Sequence, residues 1–296
     1  MFDIIVPIFR ISEELLLKAL DSIKAQTFTG YEVYICDGTP TEHQRYDTKA
    51  VVECYGFNYI RQDPAQPLVG GARNQAVATG SNPYLAFLDG DDYWYDAYLS
   101  EMKISIEESN EKTAIWSVVL DCEYPVISQF TGESHRMKGL YAHWEDLDFI
   151  HNHPELAYYY FFGHPPAPTG TIIQREAFEA VGGYDVTLGM GEDTELLLRI
   201  VGDPRKVPVE NRRHYSHLPL IGGFHYVGEE NTLSFGTQSG VSHGRNKDDI
   251  KAFFAANSRY FSEKHPQPTR NDLPEGTPEA FVESLNGVMR DRVHTI

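Results

Sequence analysis

The fold is decided by the stretch YLAFLDGDD, residues 84–92, in which an apolar run leads directly into three carboxylates. The first five residues predict a buried strand, because a short continuous apolar run that ends in a turn is typical of a strand covered on both faces. Asp89, Asp91 and Asp92 repel one another unless a cation lies between them. The stretch therefore predicts a buried strand that ends in a charged functional turn.

The region before this turn alternates predicted strands with predicted helices. Strands are expected at residues 2–9, 31–35 and 57–60, and helices at residues 12–23, 41–54 and 71–79. This alternation predicts an α/β fold with a mostly parallel, Rossmann-like sheet flanked by helices. Ligands of such sheets bind beyond the carboxyl ends of the strands. Phe9, Asp37 and the turn 89–92 should therefore lie along one edge.

The second half of the chain has a less regular pattern. Strands are predicted at 114–120 and 171–173, and helices at 175–181, 192–201, 249–264 and 278–292. Residues 129–138 are polar and predict turns, and residues 141–162 are aromatic and partly helical in prediction. The Pro-rich segment 265–277 is interpreted as a linker, so residues 246–296 form a predicted C-terminal helical extension.

Composition narrows the class of protein and of partner. The 296 residues carry a formal net charge of −18, which disfavours nucleic acid because a broad acidic surface repels phosphate backbones. Three cysteines without a paired spacing favour reduced thiols. No signal-peptide pattern is present, and no apolar stretch approaches the roughly 20 residues that span a bilayer. We expect a soluble, cytoplasmic protein with no transmembrane segment.

Two features carry possible chemistry. The carboxylates at 89–92 suit a hard divalent cation, Mg²⁺ or Mn²⁺, which binds oxygen ligands and can hold a diphosphate; the alternative is a solvated Asp-Gly turn. The second feature is GGYD at 182–185 followed by GED at 191–193. A carboxylate there can act as a general base towards a substrate hydroxyl. Alternatively, Glu192 and Asp193 only charge the first turn of a helix.

Six short motifs occur in a characteristic order. They are IIVP at 4–7, DG at 37–38, GARN at 71–74, LDGDD at 88–92, GGYD at 182–185 and ED at 192–193. This order resembles family 2 glycosyltransferases of the GT-A fold over residues 2–235. The resemblance implies transfer of a sugar from a nucleoside diphosphate, with inversion, with Mn²⁺ or Mg²⁺ at a D-x-D motif. It also implies a GT-A domain at 1–245, with a nucleotide-binding half (1–113) and an acceptor-binding half (114–245).

The resemblance assigns expected roles to residues that would bind the donor. Pro7 and Phe9 would contact the base, and Asp37 would hydrogen-bond the uracil or ribose. Arg73 would lie near the base or the phosphates. UDP is the expected nucleotide, although the first strand ends in Phe9-Arg10 where the family usually has Tyr-Asn, and Cys36 stands where the family usually has an acid.

The resemblance also implies the metal ligands and the catalytic groups. Asp91 would ligate the metal and Asp92 would support it, while Asp89 would touch the ribose or a metal-bound water. Asp193 would be the general base, and Glu192 would position the acceptor. His225 is the closest candidate for a further metal ligand, with His217 and His243 as rivals; each can equally be an ordinary packed or surface histidine.

The acceptor is the least determined partner: a glycan, a protein or a small molecule all fit the pattern. Trp144 and Tyr158–Tyr160 could stack on sugar faces, or could simply pack in the core. Two other functions are compatible with an acidic α/β protein. A nucleotidyltransferase would need a Gly-rich loop after the first strand, and residues 8–12 contain no glycine. A catalytically silent sugar-nucleotide-binding module would not need both Asp91 and Asp193.

Overall fold

The computed structural model describes residues 1–127, 134–141, 156–163, 165–226 and 247–273, together with Thr277. The first half is a set of parallel strands joined by helices. The strands are β1 (Phe2–Ile8), β2 (Tyr31–Asp37), β3 (Asn58–Arg61) and β4 (Tyr84–Phe87), and the helices are α1 (Glu13–Lys24), α2 (Thr48–Cys54) and α3 (Val69–Thr79). β1 pairs in parallel with β2 and β4, and β2 pairs in parallel with β3.

Local sequence explains where these helices begin. The Ser12 hydroxyl accepts a hydrogen bond from the Leu15 N–H at 3.4 Å, so α1 starts at Glu13. The single helix predicted over 41–54 is wrong. A short 3₁₀ helix, Thr41–His43, is followed by a separate α2, because the Asp47 carboxylate caps Ala50 N–H at 3.0 Å and starts a new helix there.

The second half extends the sheet with strands of mixed direction. Its elements are β5 (Tyr93–Trp94), α4 (Tyr98–Glu108), β6 (Thr113–Ile127), β7 (Ser134–Tyr141), α5 (Ala157–Gly163), β8 (Thr171–Gln174), α6 (Arg175–Ala180), α7 (Glu192–Val201), β9 (His214–Tyr226) and α8 (Lys247–Lys264). The strand order is β3-β2-β1-β4-β8-β6-β9-β5, and β7 pairs with β6.

The α/β prediction is confirmed, and the sheet is mixed across its full width. β8 runs antiparallel to both β4 and β6, whereas β6 and β9 are parallel. β9 escaped prediction because Pro219, Gly222 and Gly223 interrupt its pattern. The turn prediction for 129–138 is wrong from Ser134 onwards, where β7 begins.

Both faces of the sheet are buried. Ile4, Val6 and Leu88 pack with α1 and α4 on one face, and Ile5 and Phe87 pack with α3, α5 and α7 on the other. Tyr158, Tyr159 and Tyr160 are at most 3 % exposed, so they belong to this core and do not form an acceptor platform. Trp144 and the helix predicted at 278–292 lie outside the described residues.

The segment that follows α8 packs against the rest of the chain. His265 is buried, Arg205 Nη2 donates to Pro266 O at 2.9 Å, and the Tyr159 hydroxyl donates to Asp272 O at 2.5 Å. The interpretation of this segment as a linker is therefore wrong at least through residue 272. Within the described residues, no helix combines the length and the apolar character needed to cross a membrane.

Candidate active site

The carboxyl ends of β1, β2 and β4 meet at one edge of the sheet, as the strand pattern predicts. Gly38 N–H donates to Ile8 O at 2.9 Å, and Leu88 N–H donates to Ile5 O at 3.1 Å. The turn 89–92 folds tightly over the end of β1. A Cβ on Gly90 would lie 2.5 Å from Ile8 Cγ2 and 3.3 Å from Pro7 O, so the turn needs glycine for this close approach.

Phe9 and Arg10 follow β1 at this edge. The Phe9 ring is 37 % exposed, and the Arg10 guanidinium lies 5.2 Å from its centre. Arg10 has a left-handed backbone with φ 53°. Its backbone N–H donates a hydrogen bond to Thr39 Oγ1 at 2.7 Å, which holds this conformation. Its Nε and Nη1 are buried without a hydrogen-bond partner among the described residues. A non-glycine residue with a left-handed backbone is strained, and such strain is typical of functional sites. The sequence marks Arg10 only as a departure from the family pattern and does not predict this backbone conformation.

Asp37 is fully buried at the end of β2. It accepts hydrogen bonds from Thr39 N–H at 2.8 Å and from the Tyr59 hydroxyl at 3.0 Å, and Arg61 lies 3.6 Å away. These contacts show that Asp37 fixes the loop after β2. Its contact with uracil or ribose stays a prediction, as do the contacts of Pro7 and Phe9 with the base.

Arg73, on α3, joins the two acidic features that the sequence singled out. Its Nη2 donates to Asp89 Oδ1 at 2.7 Å and its Nη1 donates to Glu192 Oε1 at 2.8 Å. Burial alone would lower the pKa of the Arg73 guanidinium, but these carboxylates raise it, so the side chain stays charged. The guanidinium also lies 5.2 Å from the centre of the Tyr184 ring. Both terminal nitrogens of Arg73 are thus paired with carboxylates. The contact of Arg73 with the base or the phosphates stays a prediction.

Asp92 lies beneath the turn with no exposed surface. It accepts hydrogen bonds from the Thr169 hydroxyl and from Tyr226 N–H at 2.7 Å, and His225 Nδ1 lies 3.1 Å from Oδ2. Burial would lower the pKa of His225, but Asp92, followed by Asp89 and Asp91, raises it to about 9. A protonated His225 therefore offsets part of the negative charge of the turn.

Thr169 is a site residue that sequence reasoning missed. Its hydroxyl donates to Asp92 and accepts from Asp89 N–H at 3.1 Å, so it connects two ends of the turn. Thr169 is fully buried in a 3₁₀ turn, Pro168–Gly170, directly before β8. No local pattern marks it, because its position depends on β8 pairing with β4 across the sheet.

Asp91 differs from its neighbours because no cation among the described residues is paired with it. Within the described residues, Arg73 pairs with Asp89 and His225 with Asp92, but no salt bridge reaches Asp91. Burial, then the charges of Asp92 and Asp89, raise the pKa of Asp91 well above its usual range. A divalent cation would relieve this repulsion.

The side chains present fit a metal that is only partly held by protein. Among the described residues, no three His, Cys, Asp or Glu side chains form a ready ligand cluster. Mg²⁺ in particular often binds through one or two carboxylates and completes its shell with waters and substrate phosphates. Asp91, with Asp89 beside it, fits that arrangement.

Glu192 and Asp193 begin α7, directly after Gly191, which has φ 73°. Glu192 is buried against Arg73; burial and then the charge of Asp193 raise the pKa of Glu192 to about 7, although Arg73 opposes the shift. The Asp193 carboxylate accepts from Thr194 N–H at 2.7 Å. Asp193 is partly exposed and lines a small pocket whose other walls include Phe87, Pro166, Pro168, Thr171, Ile173, Tyr184, Leu196 and Leu197.

The candidate histidines His217 and His225 lie in different surroundings. His217 Nδ1 lies 2.8 Å from Ser117 Oγ and 3.0 Å from the Tyr215 hydroxyl, in the buried pairing of β6 with β9. Burial lowers the pKa of His217 to about 4, so it is a packed, neutral histidine away from the turn. His243 lies outside the described residues. Of the two candidates that the structure describes, His225 lies at the acidic turn and His217 does not.

Comparisons with known proteins identify the family and the fold. The model of the family described as Glycosyl transferase family 2 matches residues 3–179. Among curated proteins, the chain is 22 % identical over 200 residues to the amylovoran biosynthesis glycosyltransferase AmsB of Erwinia amylovora, covering 67 % of this chain and 63 % of AmsB. It is 28 % identical over 110 residues to WfgD of Escherichia coli, a UDP-Glc:α-D-GlcNAc-diphosphoundecaprenol β-1,3-glucosyltransferase, covering 37 % of this chain and 42 % of WfgD.

The fold is similar to that of solved structures of S. aureus TarS. TarS residues 1–349 align with a TM-score of 0.59 and 15 % identity, covering 99 % of this chain and 73 % of that one. The same fragment in complex with UDP-GlcNAc aligns with a TM-score of 0.61 and 17 % identity, covering 99 % of this chain and 74 % of that fragment. At this identity the likeness concerns the fold, which is of the mixed α/β GT-A type.

Proposed function

Because the chain belongs to glycosyl transferase family 2, we propose that it transfers a sugar from a UDP-linked donor to an acceptor hydroxyl, with a divalent metal and with inversion. Two curated relatives are named as UDP-Glc-dependent glucosyltransferases, and TarS has been solved with UDP-GlcNAc. UDP-glucose and UDP-N-acetylglucosamine are therefore the first donors to test.

The observation that carries this proposal is the bridge through Arg73. One guanidinium bonds Asp89 of the acidic turn and Glu192 beside Asp193, at 2.7 and 2.8 Å. The diphosphate-binding turn and the candidate base are thereby held next to each other. A sugar transfer needs the base and the diphosphate site to be close together, because the acceptor hydroxyl attacks the carbon from which the diphosphate departs.

Asp91 would hold Mn²⁺ or Mg²⁺, with Asp89 next to it. A bound divalent cation would offset the charge of the diphosphate as it leaves. The protein's own contribution is the placement of the carboxylates: Asp92 is fixed from three directions, so the Asp91 side chain is presented at a defined position.

Asp193 is the proposed general base and Glu192 its neighbouring support. Asp193 reaches a pocket, whereas Glu192 is buried against Arg73. Asp193 would take the proton of the acceptor hydroxyl as that oxygen attacks the anomeric carbon, and UDP would leave from the opposite face. A single displacement of this kind inverts the anomeric configuration.

The experiment is a transfer assay with donor binding measured alongside it. Purified protein receives UDP-glucose or UDP-N-acetylglucosamine, with Mn²⁺ or with EDTA, and a panel of saccharide, glycopeptide and GlcNAc-diphospho-lipid acceptors. Release of UDP and the anomeric configuration of the product are recorded. Metal-dependent release with an inverted product supports the proposal.

Two variants separate the roles of the carboxylates. Asp91→Asn should weaken UDP-sugar binding in Mn²⁺ and abolish transfer, whereas Asp193→Asn should abolish transfer and leave donor binding within about twofold, because a base acts mainly in the transition state. Full activity of Asp193→Asn would reject it as the base. Equal activity in EDTA and in Mn²⁺ would reject the metal.

A further inference from the structure

The C-terminal helix α8 holds the loop that leads into Asp193. Asn257 is buried, and its Oδ1 accepts a hydrogen bond from Gly189 N–H at 2.8 Å. Phe261, one turn later, lies 3.9 Å from the position that a Cβ on Gly191 would occupy. Residues 189–191 read Gly-Met-Gly, and Gly191 is left-handed with φ 73°. α8 therefore contacts this stretch directly before α7 begins.

A second set of contacts fixes the start of the same loop. The Asp185 carboxylate accepts hydrogen bonds from the Tyr260 hydroxyl at 2.7 Å and from Lys264 Nζ at 2.9 Å. Thr187 N–H and hydroxyl bond the other Asp185 oxygen. Asp185 ends the GGYD motif and begins the loop 185–191. α8 therefore contacts this loop at its first residue, Asp185, and again at Gly189.

A third contact joins α8 to the body of α7. Glu195 has no exposed surface and is bonded by Lys264 Nζ at 2.6 Å, by Arg199 and, at 3.3 Å, by His265. Burial would raise the pKa of Glu195, but these three donors lower it to about 2, so it is an anion at neutral pH. Lys264 thus links Asp185, the first residue of the loop 185–191, with Glu195, two residues after Asp193.

We propose that α8 is a working part of the active site, in which Asn257 and Lys264 are positioning residues that set the place of Asp193. This inference rests on the proposed function, because it concerns the base of that reaction. Neither residue touches the acidic turn in the described contacts; each acts through the loop 185–191 or through Glu195. From the sequence alone, residues 246–296 are predicted to be an extension beyond the catalytic domain.

The rate of a proton transfer depends on the precise position of the base. A displacement of about 1 Å of a catalytic group can lower a rate by about a hundredfold. The N-terminus of α7 is preceded by two glycines, which restrain the backbone least of all residues. External hydrogen bonds from a packed helix supply the restraint that this backbone lacks. Donor binding depends on β1, β2 and the turn 89–92 and should be much less sensitive.

The test compares Asn257→Ala with Ser262→Ala, a matched change on the same helix: the Ser262 hydroxyl is exposed and, among the described residues, donates a hydrogen bond to Ser258 O alone. Transfer kcat, donor Kd by calorimetry and hydrogen exchange of the peptide 185–193 are measured for both. We expect Asn257→Ala to lower kcat by about tenfold or more, to leave donor Kd within about twofold, and to speed exchange in that peptide. Ser262→Ala should match the parent protein.

Lys264→Gln provides a second variant if Asn257→Ala does not fold, since Lys264 is partly exposed. An unchanged kcat, or a donor Kd that worsens as much as kcat falls, would overturn the proposal. The exchange measurement needs no substrate: unchanged exchange of 185–193 in the variants also overturns it. Absence of transfer by the parent protein with every donor would instead count against the proposed function, while the exchange result would still decide whether α8 restrains the loop.

Discussion

Removal of the Arg73 guanidinium should destabilise the protein in a pH-dependent way, and Arg73→Met is the informative change. Asp89, one partner, has a side chain that is 28 % exposed, so solvent screens it and its share of the loss is modest. Glu192, the other partner, is 8 % exposed in its side chain and cannot remain charged without the guanidinium. The variant can avoid an unpaired buried anion only by protonating Glu192.

The direction in which the stability loss changes with pH follows from the pKa of Glu192, which is raised to about 7 in the folded protein. A carboxyl with a raised pKa favours folding when protonated, so its unfavourable effect grows as pH rises from its unfolded value of about 4.5. Above about pH 7 the parent protein can ionise Glu192 in the folded state, which limits the loss. The variant has a higher pKa still and cannot.

The size of the pH-dependent loss of unfolding free energy follows from the difference between the pKa of Glu192 in the parent protein and in Arg73→Met. If the pKa of Glu192 rises by two units or more in Arg73→Met, the extra loss of unfolding free energy is close to zero near pH 6 and about 1.4 kcal/mol near pH 8. The contributions of Asp89 and of lost packing are nearly constant over this range. The change between the two pH values therefore isolates Glu192.

The assay is urea unfolding followed by far-UV circular dichroism at pH 6, 7 and 8, for the parent protein and Arg73→Met. The control is the same pair in a Glu192→Gln background, in which the pH dependence of the difference should vanish. A stability loss that is equal at pH 6 and pH 8 would refute the reasoning. So would a pH dependence that survives in the Glu192→Gln background.

Two further changes test the geometry around the site. Thr169→Val should lower the unfolding free energy by about 1–3 kcal/mol, because it leaves Asp92 and Asp89 N–H short of a buried partner, and it should weaken donor binding; Thr171→Val, which loses one bond to Ala167 O, is the control and should leave donor binding unchanged. Gly183→Ala should lose more stability than Gly182→Ala, as judged by thermal and urea unfolding. Both positions have positive φ, which costs about 1–2 kcal/mol, but only at Gly183 would the new Cβ lie 2.7 Å from Asn74 Oδ1; equal losses would contradict the steric argument.

The sequence predicted those parts of the fold that depend on local periodicity. The strands β1, β2 and β4 and the helices α1, α3 and α7 follow from apolar spacing and from caps such as Ser12. α7 has its predicted bounds, Glu192–Val201, because an amphipathic pattern directly follows the glycines at 189 and 191. The edge that gathers Phe9, Asp37 and the turn 89–92 follows from the rule for parallel strands.

Local pattern gave the wrong result where a residue's environment is supplied by a distant segment. Residues 134–138 are polar, yet they form β7 because β6 offers a partner edge. For Tyr158–Tyr160 the local pattern left a sugar platform and core packing both open, and their burial beneath the sheet decides for core packing. The Pro-rich segment after α8 has the composition of a linker, but Arg205 and Tyr159 anchor it to the body.

The sequence by itself determined the acidic turn, the α/β order of the first half and the two carboxylates that start α7. Only the tertiary structure decided how these act on one another. Arg73 reaches Glu192 across 119 positions of sequence, and Asn257 reaches Gly189 across 68. Hydrogen bonds and charge pairing are short-ranged, so they depend on which atoms the folded sheet brings within about 3 Å, and no spacing along the chain contains that information.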